Sequence, residues 1–405
     1  MSLKKNAITF ALLTTSFSSM AALQSFDSRS HAMGGTGVSS ADYLTAPFHN
    51  PALGARYGES DDVGVLIPSV GAQLSDQDEM ISGLEDFSDT YDNLESALNS
   101  LDPNKIDSAA QASADALSAL KDDKAHVEAG VGMAIAIPNQ YLSVNIYGKA
   151  YADAVVVANI TQSDIDELEA LDPNAPPVST PTLTSKGITM GVSIIEGGVS
   201  VSKSFDVSYG TWYLGMTPKY QMINTINYIA NVDNYEFDDW DDDRYQNDEG
   251  NMNLDFGMAF EMPQGFVFGL SGRNLIENKY DTEVIQGVSG TYTVSPVYTA
   301  AASFNHSLFT AALDVDLNEN ERYETINGDA VDSDNTQMAG LGLEFNAWGW
   351  AQIRAGYQHD IAGNLDDQFT AGLGLSPFDT VHIDLSGSYA GENQFGAVVQ
   401  TYFTF

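Results

Sequence analysis

Cysteine is absent from this chain of 405 residues. That excludes disulfides, thiolate metal sites, a cysteine nucleophile and an N-terminal lipid-modified cysteine. Basic residues are scarce too. Sixteen Lys and Arg stand against 56 Asp and Glu, a formal net charge of -40. Binding nucleic acid takes cations to displace the counterions of phosphates, so nucleic acid is excluded as a partner of the chain itself. Also missing, after the N-terminus, is any continuous run of the ~20 apolar residues that a spanning helix needs.

What the N-terminus does hold is an export pattern. Lys4 and Lys5 precede an apolar stretch over 7–17, and Ser19-Met20-Ala21 suits signal peptidase. Residues 1–21 are therefore expected to be a signal peptide. An exported chain without spanning helices is either soluble or a membrane barrel, since only helices and closed barrels satisfy the backbone inside lipid.

Hydrophobic periodicity separates the two. Residues 22–57 are irregular, rich in Gly and Ser and weakly charged, and read as a segment packed against something. A strand follows at 61–74. In 76–122 the residues Met80, Leu84, Phe87, Tyr91, Leu94, Leu98 and Leu101 repeat at spacings of three and four, the seam of a helix. Asp102 as N-cap and Pro103 at the first helical position open a second helix. Its facing seam predicts a self-packed helical hairpin.

Beyond Lys124 the period becomes two and stays so. Thirteen further strands are expected, fourteen in all: 126–137, 141–159, 187–203, 209–230, 251–262, 266–275, 297–305, 308–317, 336–346, 350–359, 369–376, 381–389 and 395–405. Long connections alternate with short ones such as 138–140, 204–208, 263–265, 306–307 and 347–349. Outer-membrane barrels have this asymmetry, with short turns inside the cell envelope and long loops outside. An even strand number returns the C-terminus to the side of the N-terminus, and the parity holds.

Facing the two solvents, Phe309, Ala311, Leu313, Val315 and Leu317 are assigned to lipid. Thr310, Ala312, Asp314 and Asp316 are assigned to the lumen, as are Arg354 and Asp384 on later strands. These luminal polar residues are expected to hold a plug or tune a channel. Tyr141, Tyr147, Tyr151, Trp212, Tyr213, Tyr220, Tyr228, Trp348, Trp350, Tyr402 and Phe405 supply aromatics near strand ends, as interfacial girdles do. A terminal strand ending on Phe405 is the kind of signal that barrel-assembly machinery reads.

No catalytic constellation emerges, so no enzyme and no cofactor are expected. Met33-Gly34-Gly35-Thr36-Gly37 lacks the Gly-Lys-Ser/Thr of a phosphate loop. Six histidines are scattered without a His-x-x-x-His helix, which predicts no metal site. In the acidic stretch 233–250, Asp239, Asp241 and Asp243 have calcium-loop spacing. Arg244 stands where the turn requires Gly, and Gly250 where the loop requires Glu. A solvated acidic loop and a looser cation site both remain open there.

An export signal, a segment carrying Asn50-Pro51-Ala52 and fourteen strands together resemble the FadL-like long-chain fatty-acid outer-membrane transporters. More closely, from Gln24 to Phe405, the chain resembles the exported TraF-type conjugal-transfer proteins. The resemblance implies an all-β fold: a fourteen-stranded antiparallel transmembrane barrel over 58–405, plugged by an N-terminal hatch over 22–57. The helical hairpin at 76–122 would be inserted in the first extracellular loop. Gly34, Gly35, Phe48, Asn50, Pro51 and Ala52 become the candidate hatch or ligand-binding residues. The implied setting is the bacterial outer membrane. Its implied partners are membrane lipid, the assembly machinery that reads Phe405, a small hydrophobic ligand and the conjugation apparatus. Two functions follow as expectations: a plugged channel for uptake of a small molecule, or a surface-displayed component of the transfer machinery without transport activity. Arg29, Arg56, Arg273 and Arg354 are few for holding a ligand carboxylate, which argues against fatty acid.

Overall fold

The computed structural model of the protein describes residues 27–76, 79–121, 123–174, 181–234, 242–326, 329–330, 335–347, 349–377 and 380–405. The expected signal peptide, Trp348 and the Asp239–Asp241 pair lie outside them. Among the described residues, fourteen strands close into one antiparallel barrel. In chain order they are β1 (Gly64–Ser75), β2 (Lys124–Ile137), β3 (Ser143–Asn159), β4 (Lys186–Val207), β5 (Gly210–Asn231), β6 (Gln246–Glu261) and β7 (Phe266–Arg273). Then come β8 (Val297–His306), β9 (Phe309–Asp316), β10 (Met338–Ala347), β11 (Ala351–Asp360), β12 (Gln368–Leu375), β13 (Val381–Gly391) and β14 (Gln394–Thr404). Closure pairs β1 with β14, from Gly64 opposite Thr404 to Ser75 opposite Gln394. Phe405 finishes the seam: its N–H donates to the Val63 carbonyl at 2.8 Å, and its own carbonyl accepts from Asp62. Pro68 has no N–H to give the ladder, and the register of β1 shifts at that point against both neighbours.

Period two holds round the wall. Ile135, Ile146, Ile195, Phe268, Leu313, Leu343, Ile353, Leu373 and Leu385 face outward and are exposed, forming an apolar belt. Glu196, Lys219, Asp255, Asp314, Arg354 and Asp384 face inward and are buried.

The wall is uneven. Strands of 22 residues at β4 and β5 contrast with 8 at β7 and β9. Only about 9 to 11 residues are needed to cross a bilayer, so β4 and β5 stand well above it. The turn expected at 204–208 is shorter than read. Strand β4 runs on to Val207, and β5 begins at Gly210. Several aromatics assigned to the girdle are not on it: Tyr147, Tyr213 and Tyr228 are buried. Parity puts Tyr147 and Tyr213 on the inner face, where their hydroxyls donate to Glu196 and Glu261, while Tyr228 keeps the outward parity of Tyr220 and Met222 and packs edge-on against Tyr245.

Helices lie both inside the barrel and at its long-loop end. Helices α1 (Ser28–Ala32) and α2 (Ala46–His49) belong to the N-terminal segment, while α3 (Met80–Ser100) and α4 (Pro103–Ala119) form the hairpin. Asp102 caps α4 by accepting from the Asn104 N–H. Met80, Leu84, Phe87, Leu94 and Leu98 bury against Ile106, Ala110, Ala114 and Leu117, and the same core takes in Ala125, Val156 and Ala158 of the wall. Leu101 departs from the seam. It ends α3 in a left-handed conformation with its side chain exposed.

The long loops are less irregular than their sequences suggest. Helix α5 (Gln162–Glu169) joins the hairpin core through Ile165 and Leu168. Loops 274–296 and 317–337 contribute a separate four-stranded sheet over the lumen, ordered 329–330, 323–326, 290–294 and 278–281. Tyr280, Tyr292 and Tyr323 of this cap pack on Met190, Val192, Ile194 and Ile223 of β4 and β5.

One carboxylate ties residue 164 to residues 184 and 185. Buried Asp164 accepts from the N–H and hydroxyl of Thr184, both at 2.8 Å, and from those of Ser185, both at 2.6 Å. Burial alone would raise its pKa. The donors of Ser185 and then Thr184 outweigh burial and hold it below the ordinary 3.8. A carboxyl depressed on folding contributes stability that is complete above its unfolded value and lost as pH falls through the folded one. Hydrogen exchange of residues 162–169, corrected for intrinsic rate, should therefore hold steady down to about pH 4 and speed up below it. Asp164→Ala should exchange fast throughout. Equal protection in the two proteins would refute the assignment.

Candidate functional site

The N-terminal segment 27–57 fills the lumen and is held there by side chains of the wall. Asp27 opens α1, accepting from the Arg29 N–H at 3.1 Å, and pairs with His49 Nε2 at 3.0 Å, tying the start of the plug to its middle. Ser28 N donates to Gln400 Oε1 at 2.9 Å, and His31 Nδ1 lies 2.8 Å from Ser386 Oγ.

Next comes the glycine turn. Gly34 and Gly35 have φ of 65° and 79°, a conformation that favours glycine. The turn lies so close to β10 and β11 that a side chain at Gly340, Gly342 or Gly356 would strike plug backbone. Gly34 N donates to Thr370 Oγ1 at 3.0 Å. Just beyond, Gly37 N and Val38 N both donate to Asp314 Oδ2 at 2.8 Å. Asp314 is thus an anchor for the plug.

A second seat holds Asn50-Pro51-Ala52. Asn50 Nδ2 donates to the carbonyls of Val38 at 2.8 Å and Met258 at 3.2 Å, while its Oδ1 caps the following turn by accepting from Ala52 N. Here the wall supplies Gly215 and Gly257, where a Cβ would meet Pro51 and Asn50. Phe48 packs edge-on against Tyr147, with ring centroids 5.8 Å apart. The six candidate hatch residues therefore do not converge on one pocket. Gly34 and Gly35 sit against β10 and β11, Asn50 to Ala52 against β5 and β6, and Phe48 against β2 and β3.

Ion pairs complete the attachment. Arg29 forks onto Glu344 at 2.9 and 3.1 Å. Arg354 takes the same carboxylate at 2.7 Å and reaches Asp384 at 2.8 Å. At the short-turn end, Arg56 forks onto Glu261, both bonds 3.1 Å, and Tyr213 donates to that carboxylate at 2.9 Å. Asp316, the fourth luminal candidate, holds the rim instead of the plug. It accepts from Thr299 Oγ1 at 2.6 Å and Met338 N at 3.2 Å.

Above the plug a second network crosses the lumen. Lys219 bridges Glu196 at 3.0 Å and Asp255 at 2.9 Å, and Lys149 approaches Glu196 at 3.5 Å. Sequence reading missed Glu344, Glu261 and this cluster. The available signal was charge at positions whose strand parity points inward. One small polar cavity of about 80 Å³ lies between the glycine turn and the rim, lined by Arg273, Asp314, Asp316 and Gln358 among others. A typical small-ligand pocket holds at least ~300 Å³, so the chamber suits water rather than a solute.

Comparison with known proteins points the same way. Residues 47–316 match the family described as "F plasmid transfer operon, TraF, protein". No curated protein matches the chain. Among solved structures, the Ralstonia pickettii toluene transporter TbuX superimposes with a TM-score of 0.54 at 10% identity, covering 95% of this chain and 99% of that one. The P. putida toluene transporter TodX gives 0.52 at 10% identity, over 95% and 99%. At such identities the likeness establishes the fold alone: a FadL-like plugged barrel.

Proposed function

The chain belongs to the F plasmid transfer operon TraF protein family, and from that premise and the plugged barrel we propose that it is an outer-membrane channel for a small hydrophobic molecule, closed by residues 27–57. The observation that carries this reading is how the plug is held. Its attachments are side-chain hydrogen bonds, ion pairs and two small apolar contacts with the wall, and the barrel's own ladder closes without it. The plug can therefore shift or leave while the barrel stays shut on itself.

Two further observations support the ligand class. An apolar inner face of Met190, Val192, Ile194 and Ile223 lies under the tyrosines of the cap. Arg29, Arg56 and Arg354 are engaged by Glu344, Glu261 and Asp384, which disfavours a carboxylate ligand at the plug. The barrels with the same architecture are described as toluene transporters.

Proteoliposomes test the proposal. Deleting residues 27–57 should raise the permeability to small solutes sharply, and the intact protein should speed toluene entry over protein-free vesicles. Unchanged permeability after the deletion would remove the plug from the account.

The hairpin favours a second reading, display to a partner. Its apolar seam is spent on the barrel, while Glu85, Asp86, Asp89, Asp92, Glu95, Asp107 and Asp115 are all exposed on the other side. A basic partner surface would match that face. Capture of transfer components by the intact barrel, lost on deleting 80–119, would support this role; identical capture would end it.

A further inference from the structure

We infer that His126, Glu128 and Asp153 form a luminal binding site for a divalent first-row transition cation. The placement follows from the sheet. His126 and Glu128 stand two apart on β2, so both point into the lumen. Glu128 lies directly opposite Asp153 on β3. Both carboxylates are buried, each about 5% exposed. Like charges facing each other across a ladder repel, and burial amplifies the repulsion, so the pair draws positive charge, of which Arg322 already supplies one at Asp153.

The geometry suits a metal ion. His126 Nε2 is 2.7 Å from Asp153 Oδ1 and 3.9 Å from Glu128 Oε1. One donor atom from each residue lies within 4.8 Å of the others. Ligands about 2.0 to 2.2 Å from a tetrahedral ion are about 3.3 to 3.6 Å apart, and the two observed separations bracket that spacing. Small side-chain rotations would bring all three donors onto one ion. Arg322, from the loop beside the cap, pairs with the other oxygen of Asp153. It leaves the oxygen that faces His126 to the ion and would orient Asp153 as an outer partner orients a metal ligand.

Donor chemistry narrows the ion. An imidazole nitrogen with two carboxylates suits zinc, manganese, cobalt or nickel, whereas calcium and magnesium prefer oxygen alone. The scattered histidines hid this site in the sequence. His-x-Glu on a strand shares one face, just as His-x-x-x-His does on a helix, but the third ligand lies 25 residues further on. Nothing in the site depends on whether the barrel conducts.

Calorimetry on the chelator-stripped full chain in detergent tests the proposal, with zinc as the probe and excess calcium present to occupy the acidic surface. The expected result is one saturable zinc site per chain. Its affinity should drop at least about tenfold in Glu128→Gln and in His126→Gln, changes that conserve shape. Cobalt should bind the same protein with a visible absorption band that zinc abolishes. Heat-modifiable migration on a detergent gel confirms that each variant is folded. Absence of a saturable zinc site, or equal affinity in folded His126→Gln, overturns the assignment.

Discussion

Arg354→Met should cost about 3 to 5 kcal/mol, the usual penalty for stripping one partner from a buried ion pair. Arg354 is almost completely buried between Glu344 and Asp384. Removing it leaves Glu344 with Arg29, but takes from Asp384 the cation it pairs with. Hydrophobic replacement of a whole pair is often neutral, so Arg354→Met with Asp384→Leu should recover most of the loss. The temperature at which the folded gel form disappears reads both. A single variant as stable as the parent would show that the pair is a passenger. The same variant should also loosen the plug, because Glu344 is shared by Arg354 and by Arg29 of the plug.

How legible these features were in sequence depended on which solvent wrote them. Lipid on one side and a polar lumen on the other impose a strict period of two, so all fourteen strands were readable, most to within a few residues. The plug was readable as a segment too irregular for a strand and too apolar for a tail. Its seats were not. Gly257 and Gly356 look like any other strand glycines until the plug backbone is seen against them. Lys149 and Lys219 escaped notice because two cations in so acidic a chain read as incidental, although both fall on inward positions. Girdle tyrosines were over-read for the opposite reason: an aromatic near a strand end looks alike on either face, and only parity tells them apart. The cap sheet is made of strands of two to five residues, too short for any period to declare itself.

Gly257→Val should open the barrel without unfolding it. A Cβ at Gly257 would run into the Asn50 side chain and Pro51, and one at Gly356 would run into the backbone of Met33 and Gly34. Within the wall, valine is a good strand residue, so the ladder itself tolerates either change. The conflict falls on the plug. Overpacking costs about 1 to 3 kcal/mol, while each neutral hydrogen bond contributes about 0.5 to 1.5, so one clash rivals the two bonds from Asn50 Nδ2 to Val38 and Met258. One seat released leaves the other holding, through Asp314 and the Arg29–Glu344 fork. The single variants should therefore leak intermittently in planar bilayers, and Gly257→Val with Gly356→Val should conduct continuously. Gly148→Val is the control: on the outward face of β3, its Cβ would meet neighbours only at ordinary contact, the nearest at 3.8 Å. If the double variant stays as silent as that control while remaining folded, the segment 27–57 is not what seals the lumen, and the search for a gate would move outward to the cap.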